Sequence, residues 1–256
     1  MNFKHNKNLF SWVIGAAFFL IIATACSPPD TEKVSRLVMF VGVDVSGSFR
    51  KSGYYDDALT FLSHYIYGHL NKIGELSGVR ALFVGSIGGH STNEPKAFHP
   101  IHDLEGKSVR EIKAALKEWF PPRDTITDFN AFFAEIAAQT KDRNLTLAPI
   151  CIMIITDGVP ATGVREDKTT YEHINLDPLE YLSRRVTVRL TYLDPIVAKR
   201  WRDNVPARRV RIWTVPGEVM EGWREQMQPG VELAKQDKFW RWVKDNVDFR
   251  VRARKF

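Results

Sequence analysis

Cysteine is nearly absent from this chain, with Cys26 and Cys151 the only two in 256 residues. A small scaffold stapled by disulfides is thereby excluded. Internal repeats and low-complexity segments are missing as well. No apolar run reaches the ~20 residues that a membrane-spanning helix needs. The run from about Phe10 to Ala23 comes nearest and falls short. Cys151 lies inside the apolar stretch "APICIMIITDG", where a lone thiol reads as a small core residue.

Lys4 and Lys7 precede the apolar run, and Ala23-Thr24-Ala25-Cys26 follows it. A basic head, a short apolar core and small residues before a cut describe a secretory signal. A cysteine directly after those small residues resembles a bacterial lipobox, whose thiol is diacylated and becomes the new N-terminus. Ala23 stands where that motif usually carries Leu. The resemblance implies a signal peptide over residues 1–25, a lipidated Cys26 and a tether over 26–35 that begins Ser27-Pro28-Pro29. It further implies a lipid-anchored, periplasm-facing protein of the bacterial envelope. Ser27 after the lipidated cysteine implies outer-membrane sorting in a Gram-negative cell. An uncleaved anchor is the competing reading, and in either case the globular part is exported. About 230 residues remain, enough for one substantial core, so a single domain over 36–256 is expected.

Charge is unevenly spread. Residues 184–256 hold 18 Lys and Arg against 9 Asp and Glu, a net +9, whereas residues 26–183 hold 16 against 21, a net −5. A basic C-terminal face follows. Export argues against nucleic acid as its partner. Anionic lipid headgroups are the better candidate, contacted by Arg250, Arg252, Arg254 and Lys255. A merely solvated basic surface is the plainer alternative.

From residue 37 onward, strand-like runs alternate with helix-like ones. Leu37–Val45, Val79–Ile87, Ala148–Thr156, Val186–Leu193 and Val210–Val215 read as strands. The run 148–156 is almost wholly apolar, as for a strand covered on both faces. Ala58, Leu59, Leu62, Ile66, Leu70 and Ile73 recur at helical spacing. Ser108-Val109-Arg110-Glu111 is a capping box opening a helix to about Phe120, which Pro121-Pro122 ends. Helices are also expected over Asp128–Thr140 and under the stripe Leu233, Phe239, Trp240, Val243 and Val247. The alternation predicts an α/β fold: a doubly wound, mostly parallel central sheet with helices on both faces. Ligands of such sheets sit beyond the carboxyl ends of the strands, where the strand order switches. Asp44 and Asp157 both fall at such ends.

The stretch "VGVDVSGSF" adds Ser46 and Ser48 to Asp44. A nucleophile elbow would flank its serine with glycines in G-x-S-x-G, and here they are misplaced. A haloacid-dehalogenase-type phosphatase would need a second acid two residues after Asp44, where Ser46 stands. A Walker-type phosphate loop would need Gly-Lys-Ser/Thr. A hard-cation site built from small oxygen ligands remains.

Asp-x-Ser-x-Ser after a first strand resembles the metal-ion-dependent adhesion site of von Willebrand factor type A domains. That site is completed by a threonine from a later loop and an aspartate after the fourth strand. Asp124-Thr125-Ile126-Thr127-Asp128-Phe129 and Ile154-Ile155-Thr156-Asp157-Gly158 supply matching elements in the same order. The resemblance extends over about residues 35–250. It implies that Asp44, Ser46, Ser48, Thr127 and Asp157 hold one Mg²⁺ or Mn²⁺. Thr125 rivals Thr127, because Ile126 replaces the glycine that often precedes the family's threonine. It also implies a non-catalytic module whose ion captures an Asp or Glu of a protein partner. A metal-assisted hydrolase of envelope phosphate esters is the alternative. A plainer reading makes Ser46 and Ser48 helix caps and Asp157 a turn residue. His90, His99, His102 and Asp103 offer zinc-type ligands without a closed spacing. Trp201, Trp213, Trp223, Trp240 and Trp242 read as packing residues.

Overall fold

A computed structural model describes residues 35–91, 94–121, 126–161 and 168–249. The lipobox, Thr125 and the basic tail from Arg250 lie outside these residues. Ser35–Phe256 forms a compact unit of its own. Its strands are β1 (Leu37–Val43), β2 (Val79–Ser86), β3 (Gly88–Gly89), β4 (Phe98–Pro100), β5 (Ile126–Thr127), β6 (Ile150–Ile155), β7 (Val186–Leu193) and β8 (Arg211–Pro216). Its α-helices are α1 (Gly47–Lys51), α2 (Tyr55–Leu70), α3 (Val109–Trp119), α4 (Phe129–Asp142), α5 (Lys168–Glu172), α6 (Asp177–Glu180), α7 (Pro195–Asn204), α8 (Gly217–Glu221) and α9 (Asp237–Asn246).

The main sheet runs β4-β2-β1-β6-β7-β8. All its pairings are parallel except that of β4, which lies antiparallel on the β2 edge. β6 and β7 are buried along their whole length, as strands with helices above and below must be. One core packs Met39, Val41 and Val43 of β1 against Leu59 and Leu62 of α2, Leu116 of α3 and Phe239 of α9. The other packs Val38 and Phe40 against Phe132 and Ile136 of α4 and Trp201 of α7. The fold is therefore α/β, with a mostly parallel sheet between two helical layers.

From β1 the chain moves outward to β2 and β4, then returns to lay β6 on β1's other side. The strand order thus switches between β1 and β6, and their carboxyl ends open a crevice. Asp44 and Asp157 follow those two strands directly. Gly42 lets α4 approach this end of β1. A Cβ there would stand 2.8 Å from the Phe132 ring and 2.9 Å from Ile87 Cγ2, inside van der Waals contact.

The expected capping box is complete. Ser108 Oγ accepts from Glu111 N, and Glu111 Oε2 accepts from Ser108 N at 2.8 Å. Several short elements go beyond the expectation, among them β4 and α7, and Leu233 stands in a 3₁₀ turn ahead of α9 rather than within it. The polar loop after β2 contains β4, too short for its alternation to stand out. The region between β7 and β8 contains α7, whose buried stripe is only Val197, Ala198 and Trp201. No helix among the described residues is long and apolar enough to cross a membrane.

Candidate metal centre

β1 ends because Asp44 turns its carboxylate back onto its own loop, Oδ1 accepting from Ser46 N at 2.9 Å. Ser46 then caps the short α1, its Oγ accepting from Phe49 N at 3.4 Å. Ser46 Oγ also lies 3.1 Å from Ser48 Oγ. The second element arrives through the small β3–β5 ribbon, in which Thr127 pairs with Gly88. Two backbone bonds tie the ribbon to the main sheet, Ile87 N to Val43 O and Asp128 N to Ile87 O, both 3.1 Å. Thr127 Oγ1 consequently reaches Asp44 Oδ1 at 3.4 Å. The third element is the turn after β6. Asp157 there accepts from Val159 N at 3.0 Å, and the Ser48 hydroxyl acts on its carboxylate to hold its pKa down. Gly158 makes this turn with φ +77, which a side chain disfavours.

The five residues expected as ligands therefore converge. Thr127 touches Asp44, whereas its rival Thr125 lies outside the described residues. The capping and turn roles of Ser46 and Asp157 exist too, alongside the convergence. Thr156 is an addition that sequence reading missed as a site residue. Its Oγ1 donates to Asp44 Oδ2 at 2.6 Å and accepts from Gly158 N at 2.8 Å, joining the two aspartates' loops. Its sequence signal was its place beside Asp157 in Thr-Asp-Gly.

Asp44 is fully buried. Burial, with the Asp157 carboxylate as second cause, pushes its pKa up to about 6, against the hydrogen bonds from Thr156 and Ser46. Burial also raises Asp157, with the Ser48 hydroxyl and the Val159 N–H opposing it. Two carboxylates crowded against hydroxyl oxygens in a poorly solvated pocket are disfavoured as anions unless a cation joins them. Three hydroxyls and two carboxylates form a hard-oxygen donor set, which fits Mg²⁺ or Mn²⁺. Among the described residues no three His, Cys, Asp or Glu side chains gather as a metal-binding group. The donors here owe most of their number to Ser and Thr.

Beside this centre opens a cleft of about 480 Å³ lined by Ser46, Gly47, Ser48, Lys51, Ile126, Thr127, Val159, Pro160 and Ala161. The loop histidines take other roles. His99 stacks flat on Trp119 at 3.9 Å and pairs with Asp103 at 3.5 Å, while His102 pairs with Glu105 at 2.9 Å. Trp201, Trp223 and Trp240 are core residues, with Trp213 and Trp242 half-buried against that core.

No family model matches the chain, and no curated protein does. Solved structures give distant likenesses. One is proximal thread matrix protein 1 from the mussel byssus, with TM-score 0.45 and 10% identity, over 82% of this chain and 47% of that one. The chain thus spans about half the length of the mussel protein. Another is the SpRpn10 VWA domain, with TM-score 0.39 and 10% identity, over 82% of this chain and 95% of that one. Likeness at this level assigns no function.

Proposed function

We propose that this chain is a protein-interaction module dependent on a divalent cation, held on the bacterial cell envelope through Cys26. The observation that carries the metal reading is the convergence of Asp44, Ser46, Ser48, Thr127 and Asp157 from three separate loops at the strand-order switch. Packing alone gives no reason to bury an aspartate whose pKa rises to about 6. When bound, Mg²⁺ or Mn²⁺ would neutralise the two carboxylates and offer an open coordination position to an outside oxygen anion. The protein's part is to hold that geometry: Ser46 N–H and Thr156 orient Asp44, Gly88 backs Thr127, and Val159 N–H orients Asp157. Serine and threonine suit the remaining positions, because further carboxylates would over-neutralise the ion and repel the incoming acid. A partner's Asp or Glu is the expected guest. The cleft favours docking over hydrolysis, since among the described residues none that lines it is an acid, a histidine or a cysteine that could activate water.

The test is capture of envelope proteins on immobilised Ser35–Phe256, with Mg²⁺ or with EDTA, and with Asp44→Ala as control. Capture that needs Mg²⁺, is lost in Asp44→Ala and is displaced by a short aspartate-containing peptide supports the proposal. Capture indifferent to all three sinks it.

A further inference from the structure

The strands β1, β6, β7 and β8 are neighbours and parallel, so their N-terminal ends share one pole of the molecule, opposite Asp44 and Asp157. With neighbouring strands ~4.8 Å apart, the loops entering them form a row about 15 Å long. That row is strongly basic. Segments 35–36, 143–149, 181–185 and 205–210 contain Arg36, Arg143, Arg184, Arg185, Arg208 and Arg209, and no Asp or Glu. All six are exposed. Arg184, Arg185, Arg208 and Arg209 form no ion pair with another described residue.

Two features show that the row is built and held. Glu180 is a buried carboxylate that accepts from the backbone N–H groups of Arg208 at 2.8 Å and Arg209 at 2.6 Å. It pins the loop before β8 to the loop before β7, and the Arg209 guanidinium lies 5.6 Å over the Tyr181 ring. Leu147 is held at φ +69, a left-handed conformation rare for leucine, by donating its N–H to Leu182 O at 2.8 Å. Despite that cost, Leu147 is 82% and Tyr181 76% exposed, the two most exposed large apolar side chains among the described residues. A strained leucine spent on solvent calls for an external contact.

We propose that this pole is a docking surface for an anionic lipid bilayer, with the arginines on the headgroups and Leu147 and Tyr181 dipping into the interface. An aromatic ring with a polar tip and a bulky aliphatic beside guanidinium groups match the layered chemistry of a bilayer surface. Attachment favours the same orientation. β1 begins at this pole with Leu37, and the lipidation proposed at Cys26 lies N-terminal to it in the chain. The choice of a bilayer over an acidic protein rests on the envelope anchoring proposed above, whereas the patch does not. A membrane-facing basic pole would leave the metal centre at the far end, turned toward its partner.

The test uses Ser35–Phe256, which lacks the anchor, beside the same chain cut after Phe249, which also lacks the basic tail and so reads the patch alone. Cosedimentation with phosphatidylcholine vesicles containing phosphatidylglycerol should show binding that pure phosphatidylcholine does not support. Each arginine near such a surface strengthens binding about fivefold, so Arg184→Gln, Arg185→Gln, Arg208→Gln and Arg209→Gln together should lower it on the order of 100-fold or more. These changes leave the backbone donors to Glu180 in place, and thermal melting checks the fold. Leu147→Gly should weaken binding severalfold while leaving the melting temperature unchanged or higher, which a structural role for Leu147 would not do. No binding to anionic vesicles, equal binding to neutral ones, or undiminished binding by the fourfold variant would overturn the proposal. So would loss of binding only when the chain is cut after Phe249, or displacement from vesicles by polyglutamate at concentrations that leave simple salt ineffective.

Discussion

Replacing Asp44 by Asn should make the metal-free protein more stable while destroying its response to metal. The Asp44 pKa of about 6 stands some two units above the ordinary 3.8. At about 1.4 kcal/mol per unit, the ionised Asp44 costs the folded state about 3 kcal/mol at neutral pH. Because the folded pKa is the higher one, this cost is complete above about pH 6 and vanishes below about pH 4, where folded and unfolded chains are both protonated. Asparagine removes the charge and keeps an oxygen for Ser46 N–H. Its amide nitrogen, however, faces Thr156 Oγ1, which now donates to Asp44 Oδ2 and already accepts from Gly158 N. Disturbing that pair costs about 1 kcal/mol. A net gain of about 1–2 kcal/mol is expected at pH 7 in EDTA, read by urea denaturation. Saturating Mg²⁺ should stabilise the wild type, in proportion to the logarithm of ligand over its dissociation constant, and leave Asp44→Asn unmoved. The advantage of the variant should fade as pH falls toward about 4. A variant less stable than wild type in EDTA at pH 7, or one that gains equally from Mg²⁺, would refute the reasoning.

Two further outcomes follow from the same geometry and a third from the Cys26 motif. Thr156→Val should keep the fold but weaken Mn²⁺ binding by about 10–100-fold, since it removes the hydroxyl that orients Asp44; unchanged affinity in calorimetry would show that Asp44 needs no such support. Gly158→Ala should lower stability by about 2 kcal/mol in denaturant titration, because φ is +77 and the new Cβ would meet Leu193 Cδ2 and Val197 Cγ1 at 2.9 Å; a neutral result would mean the turn relaxes freely. Cys26→Ser should block acylation and leave the precursor uncut by the lipoprotein peptidase, as followed by mass and membrane fractionation; wild-type processing would end the lipoprotein reading.

The candidate site's residues could be picked out because they lie in short contiguous motifs, and the strands before them carry dense apolar runs. Leu37–Val43 and Ile150–Ile155 form where the hydrophobic pattern put them, and Asp44 and Asp157 stand at their ends. Helix α3 was equally plain, since Ser108 and Glu111 satisfy each other's backbone donors locally. Elements set by tertiary contact were harder to read. β4 is three residues that become a strand only by pairing with β2. Helix α7 carried a signal that periodicity overlooked: Asp194 caps it by accepting from Ile196 N, and Pro195 opens its first turn. Tyr192 takes φ +73 at the bulge between β7 and β8, and its hydroxyl donates to Asp57 of α2 at 2.8 Å. No local pattern announces a bulge at a tyrosine, because the bond that fixes it reaches 135 residues along the chain.

The claim at the centre of this account is that five oxygen-bearing side chains hold one dication. Titration calorimetry of Ser35–Phe256 with Mn²⁺ and with Mg²⁺ at pH 7 addresses it without any knowledge of the partner. The account predicts one saturable site per chain, abolished by Asp44→Ala and weakened by Ser46→Ala and Ser48→Ala. Absence of saturable binding in the wild type, or binding undiminished by Asp44→Ala, would contradict it and leave Ser46 a helix cap and Asp157 a turn residue.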